Sequence, residues 1–340
     1  MFTLSIEKNQ LRERAKKLPS ITPEMWSQVD SIYRELVEEY LQSVELSTAT
    51  KKQYTSALKQ FGWFLYESLN NKPLYKLKKR DGMRYVNYLR EDRKMSSSGI
   101  NLKKSAVSAF NQWIENYLAD DYEDNNGDLI FENFRNFMQG LPPVVKNQVN
   151  EKIKVTREEY LEMMKALESD ENYLGMAWLA VAFNVGARRG EIIQFKTSVL
   201  NEPWSKNGTY VLSHHVRGKG RGEDGKPLRF MFNKEAMNYV KLWLEHRPYE
   251  SEYIFTTGSE ENHTQMSIGW ANHFCTNILS HILGRRINPH IFKASCITYL
   301  LESGVSMSAV SEHVAHHESV ETTQIYDLRD SDEERDNIFN

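Results

Sequence analysis

A chain of 340 residues, 40% apolar and 26% charged, has the length for about two packed domains and the composition of a globular protein. Its mean hydropathy is −0.61, and no apolar run approaches the ~20 residues of a bilayer span, which excludes a helical membrane protein. Two cysteines, Cys275 and Cys296, exclude a disulfide scaffold and a CxxC zinc module. The opening MFTLSIEKNQLRERAKK carries charge where a secretory leader needs an apolar stretch, so a cytoplasmic location in reducing surroundings is expected.

The formal net charge of −3 conceals a segregated distribution. From Lys72 to Lys104 there are eleven Lys and Arg against three acids, a net of +8. Seven acids and no bases lie between Glu115 and Glu132, and the stretch from Asp327 onward has a net of −4. A polyanion partner is read from such a local basic surface and not from the total, although a solvated helix face gives the same pattern.

In chain order, residues 1–29 offer one short polar helix and a break at Pro19–Pro23. From Asp30 the helical period is clear, with Ile32, Leu36, Val37, Tyr40 and Leu41 on one face. Ser47-Thr48-Ala49-Thr50 is an N-cap region opening a second helix with Tyr54, Leu58, Phe61, Phe64 and Leu65 on its stripe. Met83, Val86, Tyr88 and Leu89 belong to a third helix, Ser96–Gly99 interrupts it, and a fourth runs from Ile100 to Leu118. An acidic loop occupies 120–128, and Gly140-Leu-Pro-Pro143 begins a linker.

The second half opens on a capping box, Thr156 to Glu159, with a helix through Leu167. Residues 172–185 are almost wholly apolar, which at that length predicts a buried core helix. Short strands at 210–213 and 228–232 flank a Gly/Lys/Arg-rich hairpin, and helices are expected at about 234–246, 267–283, 290–303, 306–315 and 319–326. The fold class is therefore mainly α: a helical N-terminal domain and a mixed, mostly helical C-terminal domain with a small antiparallel sheet. The divisions expected are an extension at 1–29, a helical domain at 30–140, a linker at 141–155, a second domain at 156–328 and a tail at 329–340.

Four features of the second half carry chemistry. Arg188, at the end of the apolar helix, needs an anionic partner, which is either Glu191 three residues on or an incoming ligand. Gly218-Lys219-Gly220 lies in a turn with Arg217 and Arg221, and is either a phosphate cradle or an exposed basic turn. His290 and Lys293 share a helix face near its N-terminus, as an anion site or a surface pair. His316-His317 is followed by Tyr326, nine residues after His317.

The order G-x-R-x-x-E, G-K-G, H-x-x-basic, then H with a later Y, resembles the catalytic domain of the tyrosine recombinase (phage integrase) family over about 156–328. Residues 30–138 are similar to that family's helical, SAM-like core-binding domain, with Leu46–Tyr54 and Phe61–Leu65 where its opening helices lie. The resemblance implies that Arg188 is the first catalytic arginine, Lys219 the hairpin lysine, His290 the first histidine, His317 the final His/Trp position and Tyr326 the nucleophile. Glu191 would orient Arg188. Lys293 stands where a second arginine is expected and His316 where a glycine is usual. Arg285 and Arg286 are nearby cations that could compensate for the lysine.

The implied activity is site-specific cutting and rejoining of DNA through a covalent 3′-phosphotyrosine, without cofactor or metal. The implied partners are a double-stranded DNA recombination site and further copies of the chain in a tetramer on it, with room for accessory DNA-bending proteins and no membrane; nucleoid association would follow. Arg90, Arg93, Lys103, Lys104, Arg217 and Arg221 are the expected DNA contacts. Residues 1–29 read as too short for a separate arm-site domain. Two alternatives stay open: a telomere-resolvase- or topoisomerase-like enzyme with the same chemistry, and a catalytically impaired DNA-binding regulator.

Overall fold

A computed structural model describes residues 20–124, 126–144, 153–220 and 225–329, and the chain divides into two compact units, one on either side of residues 145–152. No helix among the described residues is long and apolar enough to cross a membrane.

The first unit is built from helices Pro23–Ser27, Ser31–Ser43, Thr48–Leu69, Lys79–Asn87 and Ser97–Tyr117. Each start has a local cause: the side chains of Asp30, Ser47 and Ser96 accept from Tyr33 N, Thr50 N and Gly99 N at 2.9, 3.3 and 3.2 Å. The apolar stripes read from the sequence meet in one aromatic core, where Tyr33, Phe61, Tyr85 and Phe110 are at most 1% exposed. The Tyr33 hydroxyl does not waste its polarity there, since it donates to Leu58 O at 2.8 Å.

Two boundaries differ from expectation. Pro23 starts a helix where a break was expected, because the first helical position needs no N–H and Thr22 caps it. Trp26 and Val29 from that segment are buried in the same core, 8% and 2% exposed, so residues before Asp30 are part of the unit. Gly62 makes room for them: a Cβ there would stand 2.7 Å from Tyr33 Cε1 and 3.1 Å from Trp26 Cζ3. The expected linker also narrows, since Val144 belongs to the first core and Val155 to the second.

The second unit wraps the helix Tyr173–Val185, which is buried on every side, as its nearly unbroken apolar sequence requires. Helices Arg157–Ser169, Lys234–His246 and Pro289–Glu302 pack against it. The capping box forms as read: Glu159 N donates to Thr156 Oγ1 at 3.2 Å and Thr156 N to Glu159 Oε2 at 3.0 Å. The expected strands form one long antiparallel hairpin in two ladders, Tyr210–Leu212 with Met231–Asn233 and Val216–Gly218 with Lys226–Leu228. Between them Ser213 substitutes for ladder bonds, its backbone N–H reaching Phe230 O and its hydroxyl accepting from Phe230 N. A further hairpin, Thr256–Gly258 with His263–Gln265, was missed because its alternation spans only three residues per strand.

Candidate functional site

The apolar helix ends at Val185, where its apolar run stops, and Arg188 stands beyond it. Gly186 takes φ +70°, which closes the helix at Val185, and a Cβ there would meet Val314 Cγ1 at 2.9 Å. Arg188 is therefore not the end of that helix but the residue that caps the next turn, Arg189–Ile192. Glu191, 3% exposed, accepts from Arg188 N at 2.6 Å and from Arg188 Nη1 at 2.9 Å. One carboxylate thus fixes both the backbone and the guanidinium. The Arg188 side chain keeps 22% exposure, so part of its donor fork faces solvent.

The segment touching Gly186 carries the histidine pair. The turn Ser311–Ala315 ends at His316 with φ +50°, the left-handed value for which a glycine is usual. This redirects the chain so that His317 N donates to Ser311 O at 3.1 Å. The His317 Nδ1 lies 2.9 Å from Thr323 Oγ1, and its buried Nε2 has no hydrogen-bond partner. Burial, and then the charges of Lys293 and Arg188, push His317 down to about 4, so the ring is neutral at pH 7. Its centroid lies 5.0 Å from that of Tyr326.

Tyr326 is half-buried against Ile297, Leu301, Val310 and Ala315. Thr298 pins the turn around it, donating to Tyr326 O at 2.9 Å and accepting from Leu328 N at 3.0 Å. His290 sits in the first turn of Pro289–Glu302, exposed and held below its usual value by partial desolvation and then by Arg189 and Arg188.

Lys293 differs from what the resemblance implied. It is 0% exposed, and its ammonium donates to Gly186 O and Ala315 O, each at 2.9 Å. Arg285 does not compensate, because it forks onto Glu159 at 2.8 and 2.7 Å.

Lys219 is exposed at the hairpin tip. The hairpin is tied to the Arg188 turn by Gln194, which accepts from Arg217 N at 2.9 Å and donates to Arg217 O at 3.0 Å. Gly218 is glycine for packing, since a Cβ there would come within 2.4 Å of Leu228 Cδ1. Arg217 is exposed, and Arg221 lies outside the described residues. The structure thus brings Arg188, Glu191, His290, Lys293, His317 and Tyr326 into one neighbourhood, with Lys219 on an adjoining exposed loop. Among the described residues no three His, Cys, Asp or Glu side chains cluster as a metal-binding set.

In the first unit Arg90 is exposed and Arg93 half-buried, but two expected DNA contacts are committed elsewhere. Lys103 is 8% exposed, bonded to Gln60 and pushed below its usual value by burial. Lys104 caps the carbonyls of Leu141 and Pro142 at 3.2 and 3.3 Å. Position on the buried stripe of Ser97–Tyr117 decides Lys103, a helical-phase signal present in the sequence but outweighed by its charge. The same unit holds a groove of about 450 Å³ lined by Lys51, Lys52, Thr55 and Lys59, with Lys59 lying over the Trp26 ring at 5.3 Å.

A helical unit followed by a helix-and-hairpin unit that gathers an Arg, a His and a Tyr is the arrangement of a DNA strand-cutting and rejoining enzyme of the tyrosine type. Residues 153–333 match the family model described as Phage integrase family, and residues 33–121 match the Phage integrase, N-terminal SAM-like domain; the chain belongs to the phage integrase family. It is 55% identical to the SPbeta prophage-derived recombinase-like protein YomM of Bacillus subtilis (strain 168), over 99% of this chain and 100% of that protein. It is 30% identical over 192 residues to tyrosine recombinase XerC of Leptospira interrogans, covering 54% of this chain and 56% of that protein. Its fold is similar to XerH site-specific recombinase bound to palindromic difH substrate (TM-score 0.63, 16% identity, 97% of this chain and 93% of that one). It is similar too to a lambda integrase(75-356) dimer bound to a COC' core site (TM-score 0.62, 15% identity, 88% and 95%).

Proposed function

We propose that this chain cuts and rejoins double-stranded DNA at a specific site through a phosphotyrosine at Tyr326. The observation that carries the reading is the meeting of His317 and Tyr326, rings 5.0 Å apart, with a buried His317 Nε2 that has no partner and with the Arg188 charge close enough to depress the histidine. A phosphodiester resists attack because it is anionic, so the groups that matter neutralise its oxygens as charge builds. Arg188, steadied by Glu191, supplies the fork. A neutral imidazole has one donor nitrogen. With the Thr323 hydroxyl donating to Nδ1, that donor is Nε2, aimed at a non-bridging oxygen.

The Tyr326 oxygen attacks phosphorus, its proton passing to His290 or water. The O–P bond forms as the P–O5′ bond breaks, and Lys219, closing from its exposed loop, protonates the 5′-oxygen. Reversal by another 5′-hydroxyl rejoins the strand with no external energy source. The groove of Lys51, Lys52 and Lys59, with Arg90 and Arg217, would hold the backbone of the duplex. Structures of this fold described as dimers or tetramers on DNA support a homo-oligomer on the recombination site.

The test is covalent trapping on a nicked suicide duplex. Wild type should leave a denaturation-resistant protein–DNA adduct, and Tyr326→Phe should bind equally and leave none. An adduct in Tyr326→Phe would place the nucleophile elsewhere. DNA binding by wild type with no adduct would favour the second reading, a DNA-binding regulator, for which the concealment of the Lys293 ammonium speaks.

A further inference from the structure

We infer that Lys293 is a positioning residue, whose concealed ammonium rivets together the two backbone segments carrying Arg188 and His317, and does not grip phosphate. The inference rests on the recombinase reading for its consequence in catalysis, but the rivet itself stands on geometry. Gly186 and Ala315, whose carbonyls accept from the ammonium, lie two residues before Arg188 and His317. Both close helical segments, where carbonyls lack intrahelical partners and the dipole is negative. A cation satisfies both at once.

The residue type suits this place. An ammonium is a compact head that reaches both carbonyls from the end of an unbranched stem, whereas a guanidinium is a wider planar fork. The space is closed as well: Lys293 is 0% exposed, so the larger arginine head enters only by displacing its neighbours. Five residues along the same helix, Thr298 holds the Tyr326 turn. One helix, Pro289–Glu302, is therefore the common reference for Arg188, His317 and Tyr326.

The charged and titratable groups around the ammonium are Arg188 and Glu191 from the Arg189–Ile192 turn, His316 and His317 from the turn opposite, and His290 and Cys296 on its own helix. Burial, then Arg188, lowers Lys293 to about 8, while Glu191 opposes the shift. The rivet's charge is present below that pH and is lost above it.

The experiment has two arms. Without DNA, amide hydrogen exchange is compared between wild type and Lys293→Met. Protection should fall together at 186–192 and 314–318, with the helix 157–169 unchanged. Loss at only one segment, or uniform loss across the unit, overturns the rivet. With DNA, covalent adduct formation is followed against pH on a nicked duplex that the protein itself has selected from a random-sequence pool. Lys293→Met and Lys293→Arg should both slow the adduct by roughly tenfold to a hundredfold at unchanged DNA affinity, as expected of misplaced catalytic groups. Wild type should lose activity on an alkaline limb near pH 8 that is absent in Lys293→Arg. An arginine variant as fast as wild type, or faster, would mean a phosphate contact and overturn the inference. If wild type forms no adduct, the recombinase reading fails while the exchange arm still decides the rivet.

Discussion

Replacing Thr323 by valine removes a single hydroxyl from a buried helix position and keeps the side chain's shape. Thr323 is 0% exposed, and its Oγ1 stands 2.9 Å from His317 Nδ1. Without it the imidazole loses what holds its plane and what selects the Nε2–H tautomer, and a buried ring nitrogen is left unsatisfied at about 1–3 kcal/mol. If that energy is expressed at the transition state, adduct formation should slow by roughly tenfold to a hundredfold, since 1.4 kcal/mol is a decade in rate. The assay is single-turnover adduct formation at saturating DNA, beside a thermal unfolding curve. Thr323→Ser, which restores the hydroxyl, should recover most of the rate. A valine variant as fast as wild type, or a serine variant as slow as valine, would refute the argument that this hydroxyl sets the histidine.

The other expectations concern stability, pH and salt. Gly186→Ala should lower the melting temperature, because φ +70° and a 2.9 Å approach to Val314 cost a side chain about 1–3 kcal/mol; an unchanged melting curve would mean that the helix end relaxes freely. The folded-state value of His317, about 4, lies below the usual 6.5, so the unfolded chain takes up a proton first as pH falls. Stability contributed by this group is complete above about pH 6.5 and drains away toward pH 4, and His317→Gln should flatten that slope in urea titrations across the window. Lys51→Ala, Lys52→Ala and Lys59→Ala combined should weaken DNA binding and reduce the salt slope by up to about 2–3, at ~0.9 per phosphate contact, whereas Lys103→Met should leave the slope alone.

Helix existence was legible because the apolar period is strong; the stripe of Leu58, Phe61 and Leu65 needed no tertiary knowledge to find. Helix ends were less so. The stop of the apolar helix at 185 was legible, but the apolar pattern does not carry the short turn after Gly186, which makes Arg188 a cap and not a helix end. The site residues were legible by type and order, and Arg188, Glu191, His317 and Tyr326 do come together. What a cation does was not. Lys293 read as a catalytic cation and Lys103 and Lys104 as DNA contacts, yet all three end on acceptors inside the fold, since a long aliphatic stem lets lysine serve a buried acceptor as readily as a ligand. Only the three-dimensional course of the chain tells these uses apart.

The packing of Trp26 and Val29 over Gly62 bears on how the protein can be cut into pieces. A fragment begun at Asp30 would strip two apolar side chains from the aromatic nucleus around Tyr33 and Phe61 and open it to water. Its first casualty would be solubility, and a failure of such a fragment to hold DNA would then report a wounded core and say nothing about recognition.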